Sequence, residues 1–160
     1  MGYLRFFAMI ATSTVVMYGL MYLNTYETEH IWFSQTRAWM ALLMGSVMAV
    51  IMLLFMWSMY PRVQRNLLIL AASLIVFSGT LWLVRSQETV SDVSWMKAMI
   101  PHHSIAILTS RRAELSDPRV RKLADEIIEA QVREIGEMEN LIAEIDDNGE
   151  APPDSAPAAD

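Results

Sequence analysis

The stretch Ala38–Tyr60 reads AWMALLMGSVMAVIMLLFMWSMY, 23 residues without a charge. A bilayer core of about 30 Å needs roughly 20 apolar residues at about 1.5 Å of rise each. The stretch therefore reads as a membrane-spanning helix. Phe6–Leu23 and Leu67–Val84 read the same way, and neither contains a charge. Tyr3, Tyr22, Tyr26, Trp32, Trp39, Trp57, Tyr60 and Trp82 stand at the ends of the three spans, where amphipathic rings favour the membrane–water interface. The first span is followed by Asn24-Thr25-Tyr26-Glu27 with no small-residue cleavage site, so it reads as retained rather than as a signal peptide. Residues 1–85 are thus expected to form a three-span transmembrane region, with spans at about 6–23, 38–60 and 67–84.

Charge divides the chain at the same place. Residues 1–85 carry Arg5, Arg37, Arg62, Arg65 and Arg85 against Glu27 and Glu29, a net of +3. Residues 86–160 carry seven basic and sixteen acidic residues, a net of −9. One soluble globular domain is excluded by this split, and an acidic outer half without a basic stripe argues against nucleic acid. Arg5 before the first span and Arg62 and Arg65 before the third place the N-terminus and the second loop in the cytoplasm. Three crossings then put the C-terminal domain outside. The expected location is a bacterial inner membrane, multi-pass, with that domain periplasmic or extracellular. The lipid bilayer is the first partner.

The chain has no cysteine and thirteen methionines. Disulfides, thiolate zinc sites, iron–sulfur clusters and cysteine nucleophiles are excluded. Met40, Met44, Met48, Met52, Met56 and Met59 form a ladder along the second span, but a step of four residues drifts about 40° around a helix. That favours flexible apolar filling of an interface over an ion track. Ala41, Gly45 and Ala49 make a row of small residues suited to close helix approach.

Beyond Val84 the sequence predicts two helices. Ser91 or Thr89 caps one from about Asp92 to about Leu115. Asp117-Pro118, an N-cap residue followed by proline at the first helical position, starts another that runs to about Ile145. Asp146-Asp147-Asn148-Gly149 is expected to end it, leaving residues 146–160 as a disordered acidic tail. The fold class is all-α: three transmembrane helices followed by an extramembrane antiparallel helical hairpin over residues 86–145.

On the second outer helix Val120, Ala124, Ile127, Gln131, Glu134, Met138, Leu141 and Ile145 follow a 4-3 spacing. Two adjacent positions, Gln131 and Glu134, are polar where an apolar side chain would add about 1.5–3 kcal/mol. The first outer helix offers Met96, Met99, His103, Ala106, Ser110 and Ala113, with His102 flanking. Folding the pair about Asp117 puts His103 level with Gln131, Met96 level with Met138, and Met99 level with the turn holding Glu134. Thioethers with one or two imidazoles suit a soft, low-coordinate ion, Cu(I) first and silver by the same argument. Gln131 or Glu134 would hold the non-ligating ring nitrogen from outside the ligand set. Against this stands a core reading, in which the methionines fill space, the histidine is a satisfied polar residue and Gln131 sets register. Pro101 either kinks the first helix or begins a second segment after a break at Ile100.

The run Met96-Lys97-Ala98-Met99-Ile100-Pro101-His102-His103, with Gln131-Val132-Arg133-Glu134-Ile135-Gly136-Glu137-Met138 on the next helix, resembles the domain-of-unknown-function family 305, the CopM-like group of small helical proteins near the ferritin-like fold. The resemblance implies copper or silver binding, with ligand roles for Met96, Met99, His102, His103 and Met138. It differs in three respects. Ser104, Ile105, Leu108 and Thr109 stand where family members often carry further methionines, and Leu141 where a tryptophan often follows. A single hairpin also replaces a longer four-helix domain, which implies half of a ferritin-like bundle completed by a homodimer or higher oligomer.

The expected function is a membrane-anchored, outward-facing Cu(I)/Ag(I)-binding protein for copper sequestration or handover, with a copper-handling partner. The alternative is a metal-free scaffold that uses the hairpin and the small-residue face for oligomerisation. An enzyme is not expected, because no nucleophile, metalloprotease motif or cofactor loop accompanies the histidines.

Overall fold

The computed structural model describes residues 2–149. Among them are five α-helices and no strand: α1 (Tyr3–Leu20), α2 (Gln35–Phe55), α3 (Val63–Ser86), α4 (Asp92–Arg112) and α5 (Pro118–Asn148). Single 3₁₀ turns occupy Thr28–His30 and Trp57–Met59. The chain divides into two compact units. Among the described residues, one comprises residues 2–23 and 34–90; the other joins residues 24–33 to residues 91–149.

In the first unit α1, α2 and α3 are each long and apolar enough to cross a membrane. Each begins a few residues before the charge-free run that announced it, because polar residues such as Gln35 and Arg37 extend the helix beyond the apolar run. Ser34 caps α2 by accepting the Arg37 amide. The helix ends at Phe55, earlier than Tyr60, because the chain tightens into the 3₁₀ turn and Tyr60 is extended ahead of Pro61. Met56 and Met59 therefore leave the methionine ladder. Ala41, Gly45 and Ala49 are buried as the small-residue row requires. At Gly45 a Cβ would collide with the Thr14 hydroxyl of α1, so glycine here permits the approach of the two backbones. Asn66, which the sequence did not single out, is fully buried at the start of α3. Its amide donates to the Tyr60 carbonyl at 2.9 Å, and its oxygen accepts from the Tyr3 hydroxyl at 2.9 Å.

In the second unit Ser91 caps α4 and Asp117 caps α5, with Pro118 in the first turn. Pro101 lies inside one continuous helix, which settles the choice between a break and an uninterrupted α4. Helix α4 stops at Arg112, three residues short of Leu115, because Ala113 is extended. Helix α5 continues through Asp146 and Asp147 to Asn148 and ends at Gly149, whose φ of 80° suits a residue without Cβ. Residues 146–148 are thus helix rather than tail; the rest of the expected tail, residues 150–160, lies outside the described residues.

Helices α4 and α5 pack along their length. Arg121 donates to the Ser110 carbonyl near the turn, His103 meets Glu134 further out, and Lys97 meets Asp146 at 4.0 Å beyond that. Their shared core is Met96, Ile100, Ile107, Ile135, Met138 and Ile142. The contact faces are rotated from the expected rows. On α5 the buried line is Ala124, Ile135, Met138 and Ile142, whereas Val120, Ile127 and Leu141 are exposed. On α4 Ile100, Ser104 and Ile107 replace Ala106, Ser110 and Ala113. Two apolar rows overlap on α5, sharing Ala124, Gln131, Met138 and Ile145; the row with Ile128, Ile135 and Ile142 buries more branched apolar volume.

Candidate functional site

Met96 and Met138 sit in the shared core at 5% and 7% exposure, and Met99 packs against that core. The structure thus gathers three of the five expected ligands, from two helices. The His103 ring lies beside them, with 13% of its side chain exposed. Its Nδ1 donates to the Met99 carbonyl at 3.0 Å, four residues back on the same helix. Its Nε2 lies 2.8 Å from Glu134 Oε2 on α5. A carbonyl can only accept, so the Met99 contact is made by an Nδ1–H, and Nε2 is the nitrogen that faces the carboxylate.

Both ring nitrogens of His103 are therefore engaged. Glu134 faces the nitrogen that a metal would need, since Nδ1 is held by the backbone. His102 is exposed on the far side of the ring pair, edge-on to His103 at a centroid distance of 6.2 Å. It is not brought to the methionines by a hydrogen bond or by core packing. Gln131 is half-buried and makes no side-chain hydrogen bond among the described residues. No cluster of three or more His, Asp or Glu side chains suited to a metal is present among them either. Any ion accepted here would be held chiefly by thioethers, a donor set that fits soft cations and not zinc or iron.

A second constellation, on the other flank of α4, escaped the sequence reading. The segment 24–33 lies against α4 and the core through Tyr26 and Trp32. Ser104, fully buried, accepts the Tyr26 amide at 2.7 Å and contacts His30 Nδ1 at 3.0 Å. Glu27 stands 3.9 Å from His30 Nε2. Arg111 stacks on the Tyr26 ring at 4.9 Å and donates to its hydroxyl. Lys97 lies 5.5 Å over the Trp32 ring. A cavity of about 200 Å³ opens between Tyr26, His30, Arg111, Val132 and Ile135. The order acid–histidine–serine resembles a hydrolytic triad, but a hydroxyl with 0% exposure reaches no substrate carbonyl. The group works as a polar clasp. The sequence signal for it was His30 directly after Glu27 and Glu29 in the first loop, with Ser104 on the face of α4 that carries Ile100 and Ile107.

At the turn, the Arg119 side chain and then its backbone amide hold the Asp117 carboxyl below the ordinary aspartate range, and Arg119 is raised in return.

Five helices, three of them of membrane length, with no strand among the described residues define the class: a membrane-associated helical protein. More particularly, the chain belongs to the family described as domain of unknown function (DUF305), whose model matches residues 83–157. It is 33% identical over 108 residues to uncharacterized protein L153 of Acanthamoeba polyphaga mimivirus, a stretch covering 66% of this chain and 69% of that protein. No solved structure matches the chain.

Proposed function

We propose that the chain is a membrane-anchored binder of soft metal cargo, Cu(I) first and Ag(I) by the same chemistry, that sequesters the ion or hands it to a copper-handling partner. In this reading Met96, Met99 and Met138 hold the ion, His103 joins them through Nε2 after parting from Glu134, and His102 lies at the entrance. The α4–α5 pair is half of a ferritin-like bundle. The protein sits in a bacterial inner membrane with its N-terminus cytoplasmic and α4–α5 outside. The observation that carries the reading is the gathering of three methionines from two helices beside a histidine. Sidedness draws support from the segment 24–33. It packs on α4, and both lie on the same side of the bilayer if α1, α2 and α3 each cross once.

The test is a Cu(I) titration of the full chain in detergent against a chromophoric chelator. Met138→Leu keeps volume and apolarity, so the core survives. It should lose about tenfold in affinity, equal to about 1.4 kcal/mol. Unchanged affinity in Met138→Leu and Met99→Leu would refute the reading. The alternative, a metal-free scaffold, is favoured by one observation: both nitrogens of His103 already have partners, which a polar core residue explains without a ligand.

A further inference from the structure

One flank of the α4–α5 pair is covered by the chain's own segment 24–33; the opposite flank is bare among the described residues. On the bare flank of α5, Leu123, Ile127 and Leu141 are 56%, 36% and 42% exposed, and Val120 at 47% continues the row toward the turn. At about 100° per residue, Leu123, Ile127, Ala130, Glu134 and Leu141 fall within an arc of roughly 60°. Trp95 of α4, half exposed, borders a groove with Leu141 and Ile145. The one charge in the middle of this face, Glu134, is already paired with His103 of the same chain, so covering the face strands no isolated carboxylate.

Charge on α5 indicates what covers it. Arg119, Arg121 and Lys122 crowd its first two turns, while Glu137, Glu139, Glu144, Asp146 and Asp147 crowd its last three. Glu137, Glu139 and Glu144 have no ion-pair partner among the described residues. A copy of α5 laid antiparallel brings its basic start against this acidic end. Arg119 and Lys122 make exposed contacts with Asp117 and Glu126 near them in sequence, and such pairs exchange partners at little cost, whereas Arg121 is also tied to the Ser110 carbonyl and stays with its own chain.

We propose that this face is where a second copy of the chain docks, α5 against α5 in antiparallel register about a two-fold axis near Ala130 and Gln131. Val120 then lies level with Leu141 of the second copy, Ile127 with Glu134, and Lys122 with Glu139. The pairing buries two His103–Glu134 contacts side by side. It rests on the apolar row and the charge order and does not require metal.

The native chain has no cysteine, so single cysteines report the geometry directly. The full chain in detergent is treated with a short bismaleimide. Ala130→Cys should cross-link to itself about tenfold faster than Val132→Cys, which lies on the covered flank, because docking raises local concentration. Val120→Cys alone should not cross-link, but Val120→Cys mixed with Leu141→Cys should. Adding Ile127→Glu to Ala130→Cys should abolish the cross-link while circular dichroism still shows the helices. Equal rates at 130 and 132, or self-linking of Val120→Cys, would overturn the proposal. So would a dimer that persists without the link at 130, joined through the membrane helices or through another protein.

Discussion

Ser104 has a larger part in the outer unit than its size suggests. It is the meeting point for the Tyr26 amide and His30 Nδ1 in a site without solvent. Ser104→Ala leaves one or both groups unpaired, a cost of about 1–3 kcal/mol. Exchange of the Tyr26 amide with deuterium should accelerate accordingly, while amides in the middle of α5 stay protected. Asp117 governs the turn through its carboxylate. Its native pKa is depressed, so its contribution is fully present above the ordinary aspartate range and is lost as pH falls through the native value. Asp117→Asn, still able to cap the helix, should flatten the decline in melting temperature below about pH 4, measured by circular dichroism.

At the scale of helices, what could be read in advance depended on how many solutions a pattern allowed. The charge-free runs had one solution, and α1, α2 and α3 followed within a few residues. Asp117-Pro118 likewise admitted only a helix start. Helix α5 carried two apolar rows about 40° apart, and spacing alone did not rank them; the isoleucine row won through buried volume. That rotation moved His103 and Glu134 to the rim of the contact and left Met96 and Met138 in its centre. The clasp of segment 24–33 could not be assembled in advance, because it joins residues more than 70 positions apart. The two rows should respond differently to truncation. Ile135→Ala, at 4% exposure, should cost about 2–5 kcal/mol of folding stability in thermal melts. Leu141→Ala should leave the melt of the dilute protein nearly unchanged and weaken self-association instead. In the membrane unit, Gly45→Ala forces a methyl group onto the Thr14 hydroxyl and should cost about 1–3 kcal/mol. Thr14→Ala removes the obstructing atom, so the double variant should recover most of the loss, a coupling that a double-mutant cycle in detergent measures.

For the whole molecule, the division into units does not follow the order of the chain. Residues 24–33 sit between two membrane-length helices in sequence yet belong with α4 and α5. If each of α1, α2 and α3 crosses the bilayer once, this segment and α5 emerge on one face, and the loop holding Pro61 and Arg62 on the other. In the proposed arrangement that second face is the cytoplasmic one, a reading that rests on the positive charge at Arg5, Arg62 and Arg65. The absence of native cysteine makes the arrangement measurable. Glu29→Cys and Asn148→Cys are both exposed positions and should react together with a membrane-impermeant maleimide applied to intact spheroplasts. Arg62→Cys should react only after the membrane is opened. Labelling of Glu29→Cys and Asn148→Cys from opposite sides would separate the segment from α4, contradict the Tyr26–Ser104 hydrogen bond, and remove the proposed outward-facing arrangement with it.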